Sequence, residues 1–241
     1  MLRRCFLANC SVILLHRIKN SDIFELINIS GQKIHPGGFD MKDKTRKQIV
    51  DVASQLFTKY GFRKTSMDEI AQVAHKAKGS LYYHFESKEA LFTEVVSTEF
   101  ENLKGELTKI LEDKTLTPIE KTKAYLRKRM DTLAKAENYH ETIKADLFDR
   151  FKFVDDLREE LDKWDKNNLK IILQEGIANG YYMQMSNIDM ILEVFFMVLK
   201  GLEIPLFIQK KYILLGPHFD DMLMILVRTI AADPNKIETH Y

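Results

Sequence analysis

The sequence contains very little cysteine. Its 241 residues include two, Cys5 and Cys10, and both precede residue 41. The rest of the chain therefore offers no thiol for a disulfide framework or a cysteine-based metal site. This composition is typical of a reducing compartment, and we expect a cytoplasmic protein without metal or cofactor.

Proline, glycine and a charge excess of either sign are also scarce. The chain has five prolines and ten glycines, and no sustained strand-like alternation follows residue 41. These absences predict an all-α protein. Because the formal net charge is only +1, any nucleic-acid-binding surface must be a local basic patch.

Residues 1–40 differ from the rest of the chain. The apolar run at residues 11–15 is too short for a secretory signal and leads directly into charged residues. A Pro-Gly-Gly stretch that begins at Pro36 is typical of a linker. We expect residues 1–40 to be a disordered or non-native extension, with Met41 as the native start.

Residues 65–88 have the pattern of two short helices joined by a tight turn. Ser66 and Glu69 have the spacing of a capping box, and apolar residues then recur with the period of a helix: Met67, Ile70, Ala71 and Ala74. A turn at residues 75–77 precedes a second helix, residues 78–85, whose inward residues are Leu81 and Phe85. The stretch therefore predicts a helix-turn-helix.

The pattern alone leaves two interpretations of the second helix open. Its remaining polar and aromatic residues point away from the predicted core. They are either ordinary half-buried amphipathic side chains or a surface that fits the DNA major groove.

Two flanking helices complete the predicted small domain. Thr45 and Gln48 have a second capping-box spacing and are expected to open a helix that ends at Gly61. Ser87 is expected to cap the helix that follows. Four basic residues crowd the start of the first helix, as a solvated charge run or as an arm that reaches DNA: Lys42, Lys44, Arg46 and Lys47.

Three linked motifs carry a family resemblance. They are A-x-x-L-F-x-x-Y-G-F at 53–62, T-S-M-D-E-I-A at 65–71 and K-G-S-L-Y-Y-H-F-E-S-K-E-x-L at 78–91. In this order they resemble the N-terminal DNA-binding domain of the TetR family of transcriptional regulators. The resemblance implies a cytoplasmic homodimer, usually a repressor, which binds a double-stranded DNA operator. It also implies a C-terminal helical domain that dimerises and binds a small-molecule inducer.

The resemblance assigns a set of residues to DNA. The expected contacts are Thr65, Ser66, Lys76, Lys78, Gly79, Ser80, Tyr82, Tyr83, His84 and Lys88. The turn departs from the family, which commonly has Gly-Val-Ser where this chain has His75-Lys76-Ala77. We therefore expect His75 in a left-handed conformation and no hydroxyl cap at Ala77.

The fold expected from these signals has four parts. Residues 1–40 are the extension, residues 41–87 a three-helix DNA-binding domain, and residues 88–112 a connecting helix. Residues 113–241 form a helical-bundle ligand-binding and dimerisation domain. Within it, Thr117 and Glu120 predict a helix start, and residues 155–179 a long helix that ends at Gly180.

The segment 186–209 is apolar nearly all round. A membrane span is disfavoured because four charged residues interrupt it. Core of a single chain remains an alternative, but burial against both its own domain and a partner copy explains the pattern better. With a helix near residues 219–230 it would form a four-helix dimer interface, for which we expect Phe195, Phe196, Leu199, Leu202, Phe219, Met222, Leu223 and Leu226.

An inducer pocket is expected between the helices near residues 118–137, 142–151 and 155–179. Candidate lining residues, each of a type that is more often plain core, are Tyr125, Met130, His140, Phe148, Phe151, Trp164 and Asn168. This content suggests an apolar or aromatic inducer, although a protein partner could control the regulator instead. An enzyme is disfavoured because Glu137-x-x-His140 is half of a di-iron motif and the second half is absent.

Overall fold

The computed structural model describes residues 38–148 and 152–234, and side chains at residues 42–144 and 152–234. The expected extension at residues 1–40 lies almost wholly outside these ranges. Successive helices are α1 (Gly38–Tyr60), α2 (Met67–Val73), α3 (Lys78–His84), α4 (Lys88–Glu112), α5 (Pro118–Leu133), α6 (Glu137–Phe148), α7 (Asp155–Ala178), α8 (Ile188–Glu203), α9 (Tyr212–Leu215) and α10 (Phe219–Ile230). A π-helical turn, Ile204–Ile208, follows α8, and short 3₁₀ turns, Lys152–Val154 and Gly216–His218, precede α7 and α10.

The expected all-α class is confirmed. Within the described ranges, β pairing is limited to one isolated bridge between Tyr182 and Ala231. None of the helices described is both long and apolar enough to cross a membrane.

Side-chain caps set most of the predicted helix starts. The Ser66 hydroxyl accepts from the Glu69 amide while the Glu69 carboxylate accepts from the Ser66 amide at 2.8 Å. Thr117 and Glu120 form the same reciprocal pair at the start of α5. Ser87 caps α4. These local hydrogen bonds satisfy amides that the first helical turn leaves unpaired.

The expected start of α1 is wrong. The helix begins at Gly38, so Thr45 lies inside it, and Gln48 Nε2 donates instead to the Ala74 carbonyl at 3.2 Å. Residues 39–44 contain neither glycine nor proline, so nothing in them stops the helix from extending past the capping sequence. Its end is as expected, at Gly61, where φ is +82°.

A buried aromatic cluster joins the helix-turn-helix to α4. Phe57 of α1 and Phe92 of α4 meet edge to face at 5.1 Å, and Phe62 lies 4.9 Å from Phe92. Ile70 and Leu81 are fully buried beneath α2 and α3. This core fixes the position of α3 relative to the start of α4.

The C-terminal bundle is built around α5, which packs on α4, α7 and α10. After α7 the chain turns at Gly180 and places Tyr182 against α5. The Tyr182 hydroxyl donates to Thr122 Oγ1 at 2.7 Å. Gly176 permits this packing, since a Cβ there would lie 2.2 Å from the Tyr182 ring.

Candidate nucleic-acid interface

Helix α3 presents a polar and aromatic outer face. Leu81 and Phe85, the residue that follows the helix, point into the core. On the other side the residues are exposed or half-buried: Lys78, Gly79, Ser80, Tyr82, Tyr83 and His84. Tyr83 is 71% exposed, and a Cβ at Gly79 would meet no atom within 4 Å. The fold therefore leaves this face open for a ligand as large as DNA.

The turn before α3 has the conformation expected from its sequence. His75 adopts φ +53°, a left-handed conformation that costs little for histidine. Lys76 is half-buried, and its amide donates to the Ala71 carbonyl at 2.9 Å. Ala77 occupies the N-cap position without a side-chain hydrogen bond. The start of α3 thus keeps unpaired amides, which favour an anion.

An ion pair that the sequence did not predict links α2 to α3. Lys78 Nζ lies 2.8 Å from Asp68 Oδ1, and both side chains are exposed. The Asp68 carboxylate accepts a hydrogen bond from the ammonium and so holds the pKa of Lys78 above its ordinary value. Asp68 therefore orients a cation that the family resemblance assigns to DNA contact. Ten residues separate the two, so helical spacing gave no signal for the pair.

Two residues expected to contact DNA have structural roles. Thr65 is only 2% exposed, and its hydroxyl donates to the Gly61 carbonyl at 2.9 Å. Lys88 donates to the carbonyls of Phe62 and Thr65 at 3.0 and 3.1 Å. The Thr65 side chain is therefore not placed to contact DNA as expected, because burial keeps its hydroxyl from solvent. Lys88 secures the turn between α1 and α2, a role that competes with a phosphate contact.

Arg46, from the basic run in the first half of α1, also has partners within the protein. Its guanidinium pairs with Glu94 of α4 and lies over the Phe85 ring at 4.9 Å. Arg46 is therefore neither part of a solvated charge run nor part of an arm that reaches DNA. Its side chain links α1 to α4.

Helices from both predicted domains meet at Asn138, the second residue of α6. Asn138 Nδ2 donates to Ser54 Oγ of α1 at 3.0 Å and to Glu99 Oε1 of α4 at 2.9 Å. The Glu99 carboxylate also accepts from the amides of Asn138 and Tyr139, at 3.1 and 2.8 Å. Burial raises the pKa of Glu99, while these hydrogen bonds oppose the shift. We call Ser54, Glu99 and Asn138 the junction.

The interior of the C-terminal bundle contains charged groups. The Tyr125 hydroxyl and Arg129 Nε donate to the two oxygens of Asp165, at 2.5 and 2.6 Å. Tyr139 donates to Glu203 Oε2 at 2.9 Å, and burial raises the pKa of Glu203. Glu203 Oε1 is buried without a hydrogen-bond partner among the residues described.

This interior includes part of the expected inducer pocket. Tyr125 and Met130 are buried core residues, Trp164 is partly buried, and Asn168 donates to the Trp164 carbonyl at 3.0 Å. The fold also brings a guanidinium and two carboxylates into this interior, which the sequence did not predict, and the expected pocket stays a prediction. His140 instead lines a separate cavity, and the side chains of Phe148 and Phe151 lie outside the described residues.

Part of the expected dimer interface also needs correction. Four of its residues are buried in the chain's own core: Phe196, Leu199, Phe219 and Leu223. Three are half-buried, namely Phe195, Leu202 and Leu226, and Met222 is exposed. The side of α8 and α10 that faces solvent carries other apolar residues: Met190, Ile191, Val194, Met197, Val198 and Ile225. Helices that are apolar all round do not reveal which side packs on their own domain.

Comparison with known proteins decides the family. Residues 49–95 match the model of the bacterial regulatory proteins, tetR family. The HTH-type transcriptional regulator QacR of Staphylococcus aureus is 31% identical over 146 residues, which are 58% of this chain and 73% of QacR. The chain belongs to the TetR family.

Other TetR-family similarities agree with this result. The HTH-type transcriptional repressor KstR2 of Mycolicibacterium smegmatis is 30% identical over 61% of this chain and 71% of KstR2. The structure of Escherichia coli NemR in its reduced form matches with a TM-score of 0.60 and 18% identity, over 79% of this chain and 98% of NemR. NemR supports the fold alone. QacR and KstR2 are named as transcriptional regulators, so this TetR-family chain is a DNA-binding transcriptional regulator and not an enzyme.

Proposed function

We propose that this regulator is a homodimeric repressor that binds a pseudo-palindromic operator and is released by a small molecule. The observation that supports operator reading is the outer face of α3, with exposed Lys78, Tyr82 and Tyr83 above the buried Leu81. A short helix with this face suits the major groove.

Each residue on that face has a role that fits its chemistry. Lys78 donates to guanine O6 and N7, and Gly79 lets the DNA backbone approach closely. Tyr82 and Tyr83 contact thymine methyl groups or donate to phosphate. Ser66, Lys76, Ser80 and His84 hold phosphates, together with amides at the helix starts. Lys88 and Thr65 contribute by positioning the turn before α2.

The dimer uses the exposed apolar side of α8 and α10. Met197 and Ile225 are 60% and 68% exposed, and such a patch costs free energy in water unless a partner covers it. A second copy presents the same patch, and two helices from each copy make a four-helix bundle. Dimerisation also places two α3 helices on successive half-sites.

The inducer binds within the C-terminal bundle and carries a hydrogen-bond donor beside an aromatic or apolar body. Glu203 Oε1 supports this choice because a buried acceptor without a donor is unfavourable. Binding there shifts α4, which changes the separation of the two α3 helices and weakens operator binding without altering a base contact.

Genomic footprinting of the purified protein, followed by fluorescence anisotropy on the protected site, tests operator reading. Lys78→Ala should reduce discrimination at one base pair by roughly tenfold. Lys114→Ala, which removes an equal charge from the α4–α5 loop, should leave discrimination unchanged. An unchanged base preference in Lys78→Ala would remove Lys78 from the reading surface, and no footprint at all would refute the operator proposal.

Sedimentation tests the dimer. Ile225→Glu should give monomers, whereas Leu214→Glu, an exposed apolar residue of α9, should remain dimeric. The opposite result would place the interface elsewhere.

A further inference from the structure

A cavity of about 440 Å³ lies where α6 approaches the turn after α8. One wall is a single stripe of α6, with Glu137, His140, Glu141 and Lys144. The π-helical turn Ile204–Ile208 forms much of the other wall. Its volume falls in the range of small-molecule pockets, and it is separate from the charged interior around Asp165.

The backbone of the second wall has two unusual conformations. The turn Ile204–Ile208 is π-helical, and Lys210 adopts φ +57°. Both conformations are rare for ordinary residues and are concentrated at functional sites in proteins. Here they place Phe207 in the cavity wall and Lys210 at its rim.

The cavity offers one free charge of each sign. Glu141 and Lys144 neutralise each other at 2.6 Å. Among the described residues, neither the Glu137 carboxylate nor the Lys210 ammonium has a hydrogen-bond or ion-pair partner; Glu137 lies on α6, and Lys210 follows the π-helical turn. These groups can bind an ammonium and a carboxylate of the same ligand.

The same cavity has an aromatic surface. The rings of His140 and Phe207 stack at 5.1 Å and 11°. His140 Nε2 lies 2.7 Å from the Leu133 carbonyl, and burial lowers the pKa of His140, which keeps the ring neutral near pH 7. Tyr212 and Ile213 add further apolar surface. This surface suits a flat or branched apolar body.

We propose that this cavity binds a small zwitterion with an aromatic or branched apolar body, of which an aromatic amino acid is the simplest example. The ligand ammonium binds Glu137, its carboxylate binds Lys210, and its body packs against the His140–Phe207 pair. This is a second effector site, distinct from the proposed inducer site.

The cavity borders the junction. Thr58 of α1 lines it and lies one helical turn from Ser54, while Glu137 immediately precedes Asn138. A ligand held between α6 and the π-helical turn therefore restricts the elements that the junction joins. Its effect on operator affinity rests on the proposed function, whereas ligand binding itself does not.

Titration calorimetry on the full chain tests the site with three probes: L-phenylalanine, 2-phenylethylamine, which lacks the carboxylate, and 3-phenylpropionate, which lacks the ammonium. We expect phenylalanine to bind at least fivefold more tightly than either analogue, as expected for two partly exposed charge pairs of roughly fivefold each. Equal affinity for the three probes, or no heat with phenylalanine, would overturn the proposal.

Two variants locate the site. Glu137→Gln should weaken phenylalanine roughly fivefold and leave 3-phenylpropionate unchanged. Lys210→Asn, which tolerates the left-handed backbone, should weaken phenylalanine and spare 2-phenylethylamine. Lys211→Gln is the matched control. If phenylalanine bound equally well to all three variants, the site would lie elsewhere. Thermal melting of each variant confirms that it is folded.

Operator binding with and without phenylalanine completes the test. We expect an affinity change of at least threefold in the wild type, and in Glu137→Gln the same change only at a roughly fivefold higher phenylalanine concentration. Phenylalanine binding without this change would refute the link to the junction. Operator binding without phenylalanine binding would refute the cavity proposal alone, and phenylalanine binding without any operator binding would refute the proposed function alone.

Discussion

Asn138→Asp is a nearly isosteric change at the junction that replaces a donor with an acceptor. In the wild type, Asn138 Nδ2 donates to Glu99 Oε1 at 2.9 Å and to Ser54 Oγ at 3.0 Å. The variant places a second carboxylate against Glu99 at a site where Asn138 is 1% exposed. The Ser54 hydroxyl can rotate and donate to the new oxygen, so the loss falls mainly on the contact with Glu99.

The cost follows from protonation. Two carboxylates in contact at a buried site cannot both stay charged, so one takes up a proton and restores the hydrogen bond. Holding a carboxyl protonated at about pH 7, when its unfolded pKa is near 4, costs up to about 4 kcal/mol. Between these pH values the folded variant binds more protons than the unfolded chain. Its stability therefore falls as the pH rises, by up to about 1.4 kcal/mol per pH unit.

Urea unfolding followed by circular dichroism measures this cost. Relative to the wild type, Asn138→Asp should lose about 4 kcal/mol at about pH 7 and roughly 1 to 2 kcal/mol at about pH 5. Ser54→Ala removes one side of the junction and should cost about 1 kcal/mol at both pH values. If Asn138→Asp cost no more than Ser54→Ala, or the same at both pH values, the account of a charged buried contact would be refuted.

Three further changes test the packing by free energy of unfolding. Gly176→Ala should cost about 3 kcal/mol, because its Cβ would displace the Tyr182 ring. Gly105→Ala has open space around it and should be neutral or stabilising. Equal effects of the two changes on stability would contradict the close contact at Gly176. Asp165→Ala should cost about 3 to 5 kcal/mol because it leaves a buried guanidinium unpaired, and a loss below about 1 kcal/mol would mean that the pair is not buried. Lys88→Met should cost about 1 kcal/mol, measured by thermal melting. Weaker DNA binding without lower stability would instead make Lys88 a phosphate contact.

Local signals in the sequence were sufficient for the helix-turn-helix. Ser66 and Glu69 define a helix start with side chains three residues apart, and His75 tolerates the left-handed turn that the motif requires. Such features depend on neighbours in the chain, so the pattern predicts them directly. The Lys78–Asp68 pair and the burial of Thr65 depend instead on how α1, α2 and α3 pack, which the pattern does not contain.

The C-terminal bundle was less predictable for the same physical reason. Phe196 is 1% exposed, whereas its neighbour Met197 is 60% exposed, yet both are apolar in a segment that is apolar all round. Hydrophobicity predicted that the segment is buried, but it did not show whether each residue packs on its own domain or on a partner copy. Arg129, Asp165 and Glu203 lie on three separate helices, so only the tertiary arrangement shows that their charges share one interior.

Helix α4 is held at both ends of its first half. Near its start, Lys88 binds the carbonyls of the turn before α2. Eleven residues later, roughly 16 Å along a helix, Glu99 accepts three hydrogen bonds from the start of α6. A movement of α6 must either break those three bonds at a buried carboxylate or carry α4 with it. Because breaking these hydrogen bonds costs several kcal/mol, a rigid-body movement of α4 requires less free energy. Since Lys88 ties α4 to the turn that precedes α2, we expect a shift in the C-terminal bundle to reach α3 as a change in its position.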